Sequence, residues 1–193
     1  MAIDLAFRKR AVSTLTNAVG VYLLCDLDNV PIYVGQSSKE GIKKRVSRHL
    51  TSARSDIIAN RQLDVWEIAW VRAFPISDPA GIDQLETALF YHFDKTNPLM
   101  NGKLPAKLKN AMTLPEPAQI VQVMSEAEIA EKLDPALRLP RQAEHYSQIV
   151  GHFLAVKNSD EIARAMDSHF KRLAKYHRTM LAQAEDVDEG DDG

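Results

Sequence analysis

Between residues 20 and 35 the chain carries two short β-prone runs separated by turn residues, and no other stretch limits its fold so tightly. Val21, Tyr22, Leu23 and Leu24 form the first run, residues 26–29 supply the turn, and residues 30–34 form the second, closing at Gly35. Branched and aromatic side chains suit a pleated strand, and Asp and Asn suit the reversal, so the spacing predicts a β-hairpin. Pro31 stands at the start of the second run, where a missing N–H disturbs the ladder least. Two phenols, Tyr22 and Tyr33, thereby fall on adjacent strands.

Downstream the period changes. Ile42, Val46, His49, Leu50 and Ala53 recur at helical spacing with basic residues between them, predicting a helix over 42–53. Residues 65–74 alternate, with Trp66, Ile68 and Trp70 on one face, which predicts a strand. Asp78-Pro79 reads as an N-cap and first-turn proline for a helix striped by Ile82, Leu85, Leu89 and Phe93, ending near Thr96. Beyond Gly102 the text becomes helical, with Pro105, Pro115, Pro117, Pro135 and Pro140 as breaks. Ser125 with Glu128 is a capping-box signature, and residues 160–184 read as one long helix. The expected organisation is an N-terminal arm or helix at 1–17, a domain at 18–112, a helical region at 113–184 and an acidic disordered tail at 185–193.

Charge narrows the class of partner. The 193 residues carry 24 Lys and Arg against 26 Asp and Glu, yet this balance hides a gradient. Residues 1–112 hold 15 basic against 11 acidic side chains, residues 113–180 hold 9 of each, and residues 181–193 hold 6 acids and no base. Between residues 36 and 61, Lys39, Lys43, Lys44, Arg45, Arg48, Arg54 and Arg61 are opposed only by Glu40 and Asp56, an excess suited to a polyanion. The apolar runs are far shorter than the roughly 20 residues of a membrane span, and the first residues lack the apolar core of an export signal. A single cysteine, Cys25, excludes an internal disulfide, and the six histidines lack the paired spacing of a zinc module. The expectation is a cytoplasmic chain with no membrane segment and no structural zinc.

The motifs gain meaning as an ordered set. Gly20-Val21-Tyr22 and Tyr33-Val34-Gly35 are followed by Arg45 in Ile42-Lys43-Lys44-Arg45-Val46, by Glu86 after Leu85, and by Asn101 closing Pro98-Leu99-Met100-Asn101. Over residues 18–102 this series resembles the GIY-YIG nuclease superfamily. The resemblance implies an α+β fold, a small three-stranded antiparallel sheet flanked by helices, here followed by an α-helical C-terminal region. It implies hydrolysis of DNA phosphodiester bonds by a stand-alone restriction-like or structure-specific endonuclease, with Mg2+ or Mn2+ as cofactor, DNA as partner, and a homodimer where paired cuts are made. The competing expectation is a catalytically inactive member of the fold that binds nucleic acid or protein.

By resemblance the catalytic set is Tyr22, Tyr33, Arg45, His49, Glu86 and Asn101. Lys39, Lys43, Lys44, Arg48 and Arg54 are the cations expected to contact nucleic acid. Phosphodiester hydrolysis needs an activated water, neutralised phosphate oxygens and a stabilised leaving alkoxide. Glu86 is the only acid in the set and so the expected metal ligand, since one carboxylate plus waters is a normal magnesium shell. Arg45 offers a permanently charged planar fork to the phosphate. Tyr22 or Tyr33 would orient or deprotonate the water, with nearby cations favouring the phenolate. His49 lies four residues after Arg45 on the same helix face, placed either to take a tyrosine proton or to pack beside Val46 and Leu50. Asn101 is the polar support of the network. Where many relatives carry Lys directly after the second glycine, this chain has the uncharged Gln36.

Overall fold

Asp26 organises the hairpin turn between β1 (Gly20–Cys25) and β2 (Pro31–Ser37). Its carboxylate accepts from the backbone N–H groups of Asp28 and Val30 at 3.0 and 2.9 Å, and Asn29 takes the left-handed conformation (φ 56°) that Asn tolerates better than most residues. The structure, a computed structural model, describes residues 4–51, 61–108, 112–155 and 159–188. In the hairpin register Tyr22 opposes Gly35 and Leu24 opposes Tyr33, so both phenols share one face.

β3 (Trp70–Pro75) pairs antiparallel with the other side of β1, and β4 (Gln119–Gln122) pairs with β3, giving the order β2-β1-β3-β4. The sheet therefore has four strands rather than the three expected. The fourth escaped because Gln-Ile-Val-Gln is too short to establish a period and follows Pro115 and Pro117, with Ile120 left 53% exposed. It comes from beyond the proline-marked break at 105–117. The strand expected over 65–74 starts only at Trp70. Ahead of it Val65–Glu67 make a 3-10 turn, because the Asp64 carboxylate caps Trp66 N at 3.0 Å.

Helices cover both faces of the sheet, which is why β1 is buried along its whole length and reads as an unbroken apolar run. On one face α1 (Leu5–Ser13), the Leu15 that follows it and α2 (Ile42–Thr51) bring Val12, Leu15, Ile42, Val46 and Leu50 against Tyr22, Leu24, Tyr33 and Val71. On the other, α3 (Ile82–Asp94) packs Ile82, Leu85, Leu89 and Phe90 against Val21, Leu23, Cys25 and Val34. The N-terminal segment is a docked helix. Its Arg8 is fully buried and donates to the carbonyls of Val65 and Ile68 at 3.2 and 3.0 Å, satisfying backbone groups that no strand partner reaches.

The C-terminal region contains α4 (Glu126–Lys132), α5 (Pro135–Ala155) and α6 (Asp160–Asp188). Ser125 caps α4 by accepting from Glu128 N, but the Glu128 carboxylate accepts from Lys132 Nζ at 2.7 Å and Asp4 N at 3.3 Å rather than completing a capping box. Pro140, read as a break, lies inside α5. As the sixth residue it removes the bond its N–H would make to Ala136 O, and the helix continues through it; Asp134 secures the helix start by accepting from Ala136 N at 2.9 Å. α6 continues past residue 184 to Asp188, and residues 189–193 of the acidic tail lie outside the described residues.

Buried charge holds α5 and α6 to the sheet domain. Arg138 donates to Glu67 at 3.2 and 3.0 Å and to Asp28 at 2.7 Å; Arg141 grips Asp64 at 2.7 and 2.9 Å; Arg172 bonds Asp26, the residue that organises the hairpin turn. Bidentate guanidinium–carboxylate pairs of this kind fix orientation as well as proximity. Among the described residues no helix is long and apolar enough to cross a membrane.

Candidate active site

The two phenols need room, and Gly35 supplies it. A Cβ added there would collide with the Tyr22 hydroxyl and ring and stand 2.8 Å from Tyr33 Cε1. The Tyr22 and Tyr33 ring centroids lie 6.5 Å apart. α2 lies over this face because its first turn is tied to the connection between α1 and β1, with Ile42 N donating to Ala18 O at 2.9 Å and Lys43 N to Thr16 O at 3.0 Å. Gly41 makes the entry at φ 78°, where a side chain would strike Asn17 O.

Helical spacing then presents Arg45 and His49 together. His49 Nε2 is 2.7 Å from the Tyr22 hydroxyl, with its ring 6.2 Å from that of Tyr33. Tyr22 is wholly buried and His49 nearly so. Burial pushes the Tyr22 phenol well above its ordinary value, reinforced by Tyr33 and opposed by Arg45. Burial also lowers His49 to about 3, assisted by Arg45 and Arg48. The pair is therefore a neutral phenol against a neutral imidazole at ordinary pH. Arg45 is half-buried, and its Nε is buried with no hydrogen-bond partner.

Glu86 arrives from α3 on the opposite side of β2. Gln36 Nε2 donates to Glu86 Oε2 at 2.8 Å and to Asp83 Oδ1 at 2.9 Å, so one amide clasps two carboxylates that lie one helical turn apart. Burial raises the Glu86 carboxyl above its ordinary value; the Gln36 bond opposes this and the Asp83 charge adds to it. Asn101 closes the free edge of β2, accepting from Val34 N at 3.0 Å and donating to Val34 O at 2.7 Å as a neighbouring strand would.

These elements enclose a cleft of about 830 Å³, and Tyr33, Gln36, Arg45, Glu86 and Asn101 all line it, with Lys103 and Glu161 contributing from the C-terminal side. Tyr22 and His49 do not line it; they stand behind Tyr33 and Arg45. The expected nucleic-acid contacts divide. Lys39 is exposed and Lys43 half-buried, while Lys44 and Arg48 pair with Glu40 at 3.9 and 2.5 Å; Arg54 lies outside the described residues. Of the cations described, Arg45 and Lys103 reach the cleft and the α2 lysines do not. Sequence reasoning missed Asp83, whose three-residue spacing from Glu86 was available, and Lys103, two residues past Asn101. Glu161 carries no such local signal.

The donor set fits a magnesium-like cation. Glu86 is half-buried and Asp83 exposed, both offer hard oxygens, and the cleft leaves space for the several waters such an ion retains. Among the described residues no cluster of three or more His, Cys, Asp or Glu side chains could hold a metal as an all-protein cage. No curated protein matches the chain. The family model of the GIY-YIG catalytic domain matches residues 18–100, the segment that contributes Tyr22, Tyr33, Arg45, His49 and Glu86; that family is typically endonucleolytic and commonly uses divalent metals. Over residues 18–100, 83 of its 193 residues, the chain is similar to the GIY-YIG catalytic domain, and this likeness supports a nuclease-type function related to nucleic acid.

Proposed function

We propose that the chain is a divalent-metal-dependent endonuclease that hydrolyses DNA phosphodiester bonds, acting alone as a restriction-like or structure-specific enzyme. The observation that carries this reading is the convergence of Tyr33, Arg45, Glu86 and Asn101 on one cleft. Arg45 would place its N–H fork on the phosphate oxygens, its buried Nε otherwise lacking an acceptor. Tyr33 meets the cleft and would orient the attacking water. Tyr22 and His49, bonded to each other behind it, fix the phenol layer that positions Tyr33. Glu86, with Asp83 beside it, would hold Mg2+ or Mn2+, which supplies charge neutralisation on the phosphate and a more acidic bound water. A restriction-like mode further requires two copies, one active site per strand.

The test is nicking or cleavage of DNA in magnesium, with wild type compared against Glu86→Ala and Arg45→Ala. Each variant is expected to lose about 10²- to 10³-fold in kcat, the range for removing one charge-stabilising group. Equal cleavage by all three proteins removes these residues from the reaction. Gln36 favours a second reading, a binding module without cleavage, because a neutral amide occupies the Glu86 oxygen where many relatives carry a cation. DNA binding by wild type that survives Glu86→Ala, with no cleavage in either metal, would establish it.

A further inference from the structure

Residues 99–101 belong to no helix or strand, yet they carry Asn101 to the edge of β2. Their shape is imposed from α6. Arg164 Nη1 donates to the carbonyls of both Leu99 and Asn101, each at 2.8 Å, and Nη2 reaches Asp94 Oδ1 at 2.5 Å. The guanidinium sits 5.1 Å over the Phe90 ring. Ser168 Oγ, one helical turn on, donates to the same Leu99 carbonyl at 3.0 Å, and Asp94 Oδ1 also accepts from Leu99 N at 2.9 Å. Gly102 then presses against α6, where a Cβ would stand 2.9 Å from Glu161 O. Arg164 itself does not line the cleft.

We propose that Arg164 is a positioning residue: it sets the 99–101 segment, and through Asn101 the edge of β2 that carries Tyr33, for the reaction in the cleft. The planar fork spreads its donors over two nitrogens, Nη1 on the two carbonyls and Nη2 on the carboxylate, a separation that a lysine ammonium, with its three donors on one atom, does not reproduce. Phe90 and Asp94 lie one and two turns beyond Glu86 on α3, so the same guanidinium ties the helix bearing the acid to the segment bearing the amide. The C-terminal region is on this reading part of the catalytic framework, in addition to any grip it has on substrate. The kinetic consequence rests on the nuclease function proposed above; the structural one does not.

The experiment uses the full chain with Arg164→Met, Arg164→Lys and Ser168→Ala, measuring DNA cleavage in magnesium and amide hydrogen exchange. Arg164→Met is expected to lower kcat about tenfold to a hundredfold with KM within about twofold, as misplacement without loss of a binding group does. Arg164→Lys should recover part of that loss. Exchange should quicken at residues 33–35 and 99–102 and stay unchanged in β3; Ser168→Ala, which deletes one bond, should show the same local pattern more weakly. Wild-type kcat in Arg164→Met, or exchange that quickens throughout the sheet in both Arg164→Met and Ser168→Ala, overturns the proposal. If the wild-type chain does not cleave, the nuclease reading fails by itself and the exchange pattern decides the role of Arg164.

Discussion

The cleft has two sides that treat water differently. On the phenol side, Tyr22 and His49 are sealed in the core beneath Tyr33, and their positions are set by packing against α2 and by the space over Gly35. On the acid side, Gln36, Asp83 and Glu86 are half-buried or exposed, joined by two hydrogen bonds from one amide. A sealed group is placed accurately but its charge is suppressed, as the shifts of Tyr22 and His49 show. A wet group keeps its charge adjustable and its position looser. The chain thus divides geometry from charge between the two sides, and substitutions should separate them.

The largest contrast is Glu86→Ala, for which cleavage should collapse while thermal stability moves by no more than about 0.5 kcal/mol, the usual scale for a surface-accessible group. A loss of stability matching the loss of activity would break the division. Gly35→Ala should behave oppositely, costing about 1–3 kcal/mol through overpacking against both tyrosines and lowering activity in step; denaturant titration beside kinetics reads both. Tyr22→Phe deletes the hydroxyl end of the bond to His49, for an expected loss of about 1–3 kcal/mol, and coupling with His49→Leu in a double-mutant cycle would show the two acting as one unit.

Smaller effects come from pH. Because the fold raises the Glu86 carboxyl, the carboxylate appears later as pH rises, and the acid limb of kcat/KM should lie above the ordinary carboxylate range. Gln36→Lys puts a positive charge beside it, favours the charged form and should move that limb to lower pH. An unmoved limb would show that the limb belongs to another group. The stability sign differs between the two sides. Glu86 favours the fold when protonated, a small contribution lost as pH rises through its raised value; His49, held near 3 against 6.5 unfolded, withdraws stability as pH falls from about 6.5 toward 3. Melting curves across that interval should decline for wild type and decline less steeply for His49→Leu, in which His169, also held near 3 by burial, still withdraws stability.

What the sequence disclosed follows the same physics. The hairpin, the Arg45–His49 face and the α3 stripe are local patterns whose periods survive in one dimension, and they delivered the phenols, the guanidinium and the acid. β4 has four residues, too few for a period, and its place depends on a strand about fifty positions earlier. Arg8 sits among ordinary surface-type residues, yet its partners are carbonyls 57 and 60 positions away. Pro140 obeyed tertiary packing over local preference. Gln36 was noticed for the charge it lacks, while its clasp on Asp83 and Glu86 joins residues about fifty apart and has no local trace.

Asn101 has one more consequence. β2 is the outermost strand on its side, and such a margin ordinarily offers bare amides and carbonyls for a foreign segment to zip onto. With the Asn101 amide pairing both groups of Val34 and Met100 N donating to Ile32 O at 2.7 Å, that margin is already occupied by a counterfeit strand. A second copy recruited for double-strand scission would have to dock through some other surface, leaving the mouth of the cleft clear for its polymer.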